Sequence, residues 1–73
     1  MKPTKLALNL KYLRLMHGFT QEFVGSLLSK DHSLISYYES GKRRPNMLTI
    51  RQLAHIYNTT VDDLLDKDLT KEQ

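Results

Sequence analysis

Residues 20–45 read TQEFVGSLLSKDHSLISYYESGKRRP, and two short helices joined by a tight turn can be read from this stretch. Thr20 is a good N-cap, with a hydroxyl able to accept a first-turn amide, and Glu22 sits near the positive end of the helix that follows. Val24 and Leu28, four residues apart, supply its inward contacts. Gly25 falls mid-helix, where glycine costs up to about 1 kcal/mol against alanine. Such a glycine marks a close helix–helix approach. Ser29 and Lys30 form the turn, Asp31 can cap the next helix, and Gly41 ends it. Lys42, Arg43, Arg44 and Pro45 make a loop.

The helix over 32–40 has two unlike faces. With His32 set to zero and about 100° added per residue, His32, Ser36, Ser40, Ser33 and Tyr37 fill an arc from 0° to about 140°. Leu34, Tyr38, Ile35 and Glu39 fill the arc from about 200° to 340°. One face is apolar with a carboxylate at its edge; the other is small, polar and hydrogen-bonding. Solvent-facing helix surfaces usually carry Glu and Lys, which favour helix, whereas serines do so poorly. An ordinary polar face is the plain alternative to a surface that meets another polar surface. The flanks favour the second. A helix starting shortly after Val24–Leu28 makes a helix–turn–helix of about 20 residues. In such a motif the second helix enters the DNA major groove while surrounding basic groups hold phosphates. A solvated loop would explain Lys42-Arg43-Arg44, but three bases directly after a glycine cap fit phosphate binding better.

Working outward, a first helix follows Pro3 and Thr4. Leu6, Leu10, Leu13 and His17 fall on one stripe, and Gly18 ends it with a left-handed cap. Asn46 caps a fourth helix with Met47, Ile50, Leu53, Ala54 and Tyr57 inward. Asn58 tolerates a left-handed C-cap. Thr60 caps a short fifth helix, with Asp63 completing a weak capping box, and Val61, Leu64 and Leu65 close the core. The fold class is all-α, a compact arrangement of five helices with no convincing strand. The expected organisation is an arm over 1–5, one domain over 6–65, and a polar, frayed tail over 66–73.

The 73 residues suffice for one domain. There is no cysteine, so disulfides and thiolate metal sites are excluded. His17, His32 and His55 lack metal-ligand spacing, and no metal or other cofactor is expected. No apolar run approaches the roughly 18 residues that span a membrane, and no signal peptide is recognisable; a soluble cytoplasmic protein is expected. The net charge is +3 and unevenly spread. Residues 1–61 hold nine Lys and Arg against three Asp and Glu, whereas residues 62–73 hold two against five. A basic body suits a polyanionic partner. No nucleophile–base pair or paired carboxylates near a histidine suggest an enzyme.

The stretch over 20–45 resembles the helix–turn–helix of phage-lambda-type repressors and Cro proteins, the Xre-like family of bacterial regulators. Arg14 late in the first helix, Thr20-Gln21 opening the second, Gly25, the Ile35-Ser36 pair, Glu39, Gly41, Lys42 and Pro45 carry the likeness. The later LTIRQLAHIYNTTVDDLL (48–65) continues it through the family's fourth and fifth helices. The resemblance implies a sequence-specific double-stranded DNA-binding transcriptional regulator, a repressor acting as a homodimer on a palindromic operator. It implies base reading by His32, Ser33 and Tyr37, with Ser36 on the same arc. It implies phosphate contacts by Gln21, Ser40, Lys42 and Arg43, joined by Arg44. Arg14 and Glu39 resemble a partly buried structural ion pair.

The departures are local. Ser29 stands for the usual turn glycine and Lys30 for an apolar turn residue, so a looser or slightly rearranged turn is expected. Phe23 and Leu27 stand where Glu and Lys are usual, and they form a candidate patch for a protein partner. That patch and the acidic tail motivate a rival reading, a protein-interaction module on the same fold, such as an antitoxin or regulatory adaptor. No Arg or Gln stands at the main base-reading positions, so the strong bidentate pairs to guanine and adenine are absent there. Discrimination of about 1–2 kcal/mol per key base pair is expected.

Overall fold

Thr4, Thr20, Asn46 and Thr60 stand in extended backbone, and each side-chain oxygen accepts the amide three residues on, at 3.2, 3.0, 2.9 and 3.0 Å. Each such cap is worth about 1 kcal/mol because it satisfies an amide with no partner inside the helix. In the computed structural model, which describes residues 3–71, the helices are α1 (Lys5–Met16), α2 (Gln21–Leu28), α3 (His32–Ser40), α4 (Met47–Ile56) and α5 (Val61–Asp66). A 3₁₀ turn over Leu69–Lys71 follows, and there is no strand among the described residues. Asp31 does occupy the N-cap of α3, but it makes no capping hydrogen bond. Its carboxylate is taken by the Ser33 hydroxyl instead.

The first four helices stop where the chain turns left-handed, at Gly18 (φ 71°), Ser29 (φ 57°), Gly41 (φ 82°) and Asn58 (φ 55°), and α5 runs into extended backbone at Lys67. The turn between α2 and α3 opens on a left-handed residue. Ser29 adopts the conformation a glycine would hold, and the Lys30 amide donates to the Gly25 carbonyl at 2.8 Å to close the helix. Gly25 does mark a close approach, of the turn's backbone and of the first residue of α3. A Cβ there would lie 2.6 Å from the Lys30 carbonyl oxygen and 3.5 Å from the His32 nitrogen.

Leu6 and Leu10 of α1, Val24 of α2, Ile35 and Tyr38 of α3, Ile50, Leu53 and Ala54 of α4, Tyr57 and Leu64 form the buried core. Leu13, Leu28, Val61 and Leu65 pack at its margin. Two expected inward residues lie outside. Met47 is 48% exposed, because the first position of α4 projects past the core that Ile50 enters one turn later. His17 is exposed at the end of α1. Its Nδ1 lies 2.8 Å from the Leu13 carbonyl oxygen, and its ring rests 5.4 Å from both Phe19 and Tyr57.

The described part of the tail is held rather than frayed. The carboxamide of Asn9, 1% exposed in α1, donates to the carbonyls of Leu64 at 3.0 Å and Lys67 at 2.6 Å. Its oxygen accepts the Leu69 amide at 3.1 Å. Met1 and Lys2 of the expected arm and Glu72 and Gln73 of the tail lie outside the described residues.

Candidate nucleic-acid interface

The two faces of α3 separate as the helical period requires. Ile35, Tyr38 and Glu39 are buried and Leu34 is half-buried. His32, Ser33, Tyr37 and Ser40 are exposed, and Ser36 is half-buried among them. The five polar residues expected on one face thus share it. Lys42, Arg43 and Arg44 follow in an exposed loop. The Arg43 amide donates to the Tyr37 carbonyl at 3.3 Å, and the Lys42 ammonium lies 5.6 Å from the centre of the Tyr37 ring. The loop is seated by Pro45, which is buried. Beside it, Thr4, Leu6 and Ala7 of the α1 start line a small pocket with Tyr38, Gly41, Arg43 and Arg44.

Glu39 fixes the pose of α3. Arg14 grips it with two parallel bonds, Nε to Oε2 at 2.7 Å and Nη2 to Oε1 at 3.1 Å. A third donor, Nη1, reaches the Phe19 carbonyl at 2.8 Å. The pair ties α1, the loop before α2, and α3 into one unit. Its hydrogen bonds raise the Arg14 pKa above the ordinary arginine value, burial acting in the opposite sense. Burial likewise pushes the neighbouring Tyr57 phenol up. Gln21, the first residue of α2, donates Nε2 to Glu39 Oε1 at 3.2 Å, which links α2 to the same carboxylate.

Several side chains on the polar face already have protein partners. The Ser33 hydroxyl donates to Asp31, and this bond holds the exposed Asp31 carboxyl below the ordinary aspartate range. The His32 Nδ1 lies 3.4 Å from the other Asp31 oxygen. The Ser40 hydroxyl donates to the Tyr37 carbonyl at 3.3 Å. On the outer face of α2, Phe23 is 44% and Leu27 50% exposed. The Phe23 ring rests 4.8 Å from Phe19. Leu27 leads into a groove of about 330 Å³ lined also by Leu28, Arg51, Gln52, His55 and Ile56.

Over residues 10–64 the chain matches the family model described as helix-turn-helix. The chain belongs to the helix-turn-helix family. It is 33% identical over 60 residues to the HTH-type transcriptional regulator AnsR of Bacillus subtilis, covering 82% of this chain and 52% of that protein. It is 35% identical over 63 residues to the HTH-type transcriptional regulator ImmR of the same species, covering 86% and 50%. The chain thus spans about half the length of these relatives. The crystal structure of the restriction-modification controller protein C.AhdI from Aeromonas hydrophila is similar at a TM-score of 0.76 and 27% identity, over 85% of this chain and 94% of that one. The all-α, five-helix architecture and the family likeness read from residues 20–45 agree with these matches.

Two contributors to this region escaped the sequence reading. Lys11 of α1 lines a polar pocket with Gln21, Ser36, Glu39 and Ser40. Nothing in the local pattern of α1 signals this, because the α3 residues that complete the pocket are 25 or more positions away. The Gln21–Glu39 bond is equally non-local. No helix among the described residues is long and apolar enough to cross a membrane.

Proposed function

We propose that this chain is a sequence-specific double-stranded DNA-binding transcription regulator, a repressor of the bacterial cytoplasm that acts as a homodimer on a palindromic operator. α3 enters the major groove. His32, Ser33, Ser36 and Tyr37 face base edges, and Gln21, Ser40, Lys42, Arg43 and Arg44 hold backbone phosphates. The observation that carries this reading is α3 itself. Its buried side is locked by the Arg14–Glu39 pair, its other side is an exposed polar face, and a basic loop continues directly from it. A helix so fixed presents donors and acceptors without first having to be ordered, and the neighbouring cations supply the sequence-independent attraction that DNA binding needs. One helix–turn–helix covers few base pairs, and such domains act in pairs on half-sites about one helical turn apart.

Selection of binding sites from a random duplex library tests the proposal, followed by salt titration of the winning site. An enriched palindrome, affinity falling steeply with salt, and a Ser33→Ala/Tyr37→Ala double mutant that keeps only non-specific binding are expected. No enrichment and weak binding even at low salt would remove the reading. A protein-interaction role would then take its place, favoured by the exposed Phe23 and Leu27 beside the groove against α4.

A further inference from the structure

Of the five N-cap residues described, Asp31 alone makes no capping hydrogen bond. Thr4, Thr20, Asn46 and Thr60 each accept the amide three residues on. The Asp31 carboxylate turns outward instead, with its side chain 71% exposed. Two residues of the polar face of α3 hold it there. The Ser33 hydroxyl donates to Oδ2, and His32 Nδ1 lies 3.4 Å from Oδ1. Because His32 and Ser33 belong to the face proposed to read bases, the carboxylate lies on that face, at its leading end. The Ser33 bond holds it below the ordinary aspartate range, so near neutral pH it is an anion that can only accept. An ionised carboxylate offers about four lone-pair sites, and Ser33 and His32 leave some of them open.

An anion is out of place on a surface that meets a polyanion. Phosphates repel it, and so do the base edges that carry only acceptors, guanine with N7 and O6 and thymine with O4. Two major-groove groups can donate to it, the N4 amine of cytosine and the N6 amine of adenine. Adenine sets its N7 acceptor beside that amine, whereas the cytosine edge carries the donor alone. A carboxylate at the positive end of a helix stabilises the helix whatever it faces. That role needs no fixed direction, yet Ser33 and His32 fix one. We infer that Asp31 is a specificity-determining residue that accepts a hydrogen bond from the N4 amine of a cytosine, and that Ser33 is the positioning residue that aims it. This rests on the DNA-binding reading and deepens it by naming a base. The charge selects cytosine by attraction and excludes guanine and thymine by repulsion, on a face that has no Arg or Gln to do so.

The test is selection from a random duplex library with the full chain as wild type, Asp31→Ala, Ser33→Ala and Ser33→Thr, with circular dichroism to show that each is folded. Wild type should enrich cytosine at one position of each half-site. Asp31→Ala should lose that preference and keep those at other positions. Ser33→Ala should weaken the same preference, and Ser33→Thr, which keeps the hydroxyl, should retain it. Anisotropy titrations then compare the selected duplex with one carrying N4-methylcytosine at that position, which still pairs with guanine but lacks the free N–H. Wild type should bind the methylated duplex about five-fold or more weakly, and Asp31→Ala should bind the two equally. A folded Asp31→Ala with the wild-type preference at every position would overturn the inference and leave the DNA reading intact. An equal loss of affinity for every duplex would overturn it too, since Asp31 would then serve only the end of the helix. If Ser33→Ala left the cytosine preference unchanged, the positioning role would fall. If wild type enriched no sequence, the DNA reading itself would fall, and the role of Asp31 with it.

Discussion

Ser29 holds a left-handed backbone (φ 57°) at the end of α2. A residue with a Cβ is disfavoured there by about 1–2 kcal/mol relative to glycine, whose unfolded chain loses more entropy in return. Ser29→Gly should therefore stabilise the fold by roughly 0.5–1 kcal/mol, read as a higher urea midpoint at unchanged m-value. A midpoint at or below wild type would show that Ser29 is not strained. Four residues earlier the sign reverses. Gly25→Ala gains helix propensity but drives a Cβ to 2.6 Å from the Lys30 carbonyl, so the turn must move. A net loss of about 1–3 kcal/mol follows, comparable to overpacking a core. An equally stable or more stable variant would refute the clash. The sequence made Gly25 legible as a constraint, since nothing local justified a mid-helix glycine. It could not say what came close, because the obstacle is a backbone carbonyl whose position depends on the turn. Asp31 gives a third test at this scale. The Ser33 hydroxyl lowers its pKa in the folded state. Its contribution is then present above the unfolded aspartate pKa and is lost as pH falls through the lower folded value. An NMR titration should place the Asp31 carboxyl below an ordinary aspartate, and Ser33→Ala should move it back up; no movement would show that the serine bond is not the cause.

At the scale of elements, α3 was the most legible part of the molecule. Helix period and burial both act locally, so the wheel that put His32, Ser33, Ser36, Tyr37 and Ser40 together also put Glu39 at the margin of the apolar side. There it now meets Arg14. The same reasoning failed for Met47, because a periodic pattern does not say where a helix runs past the edge of the core. It also had no means of finding Lys11, whose neighbours belong to other helices. The Arg14–Glu39 pair is what couples these elements, with side chains 11% and 4% exposed. Removing one partner strands a buried charge, so Arg14→Met should cost about 3–5 kcal/mol. Replacing both, as Arg14→Met/Glu39→Leu, should return much of that stability, since the desolvation of both ions disappears with their attraction. The measurement is a double-mutant cycle in urea. A double variant no more stable than Arg14→Met would mean that the bonds to Phe19 and Gln21, not the pair, carry the energy.

Across the whole molecule, an uncharged side chain of α1, Asn9, helps to join the basic and acidic parts of the chain, beside the bond from the Lys5 ammonium to the Asp66 carbonyl at 3.2 Å. The carboxylates of 62–68 lie on α5 and the segment after it, which pack on α1 and α4. Asn9 of α1 binds that segment at the carbonyls of Leu64 and Lys67 and the amide of Leu69. These partners are 55 to 60 residues away along the chain. No periodicity or capping rule reaches that far, and a polar residue between Leu8 and Leu10 reads as an ordinary surface position. That is why a frayed tail was expected. Both ends of the Asn9 carboxamide are used, its bond to Leu64 in a buried site and that to Leu69 in a part-buried one, so Asn9→Leu would take a partner from the Leu64 carbonyl and from the Leu69 amide. Each buried group stranded in this way costs about 1–3 kcal/mol. The variant should lose stability on that scale, and the Leu69 amide should exchange with solvent far faster than in wild type while amides in α2 and α3 stay protected. The interface centred on α3 makes no use of Asn9, so a variant that is still folded should bind duplex DNA with wild-type affinity. Wild-type exchange at Leu69 would show that the tail is held by other contacts. Weakened DNA binding by the folded variant would show that the clasp, through α1, also sets the pose of α3.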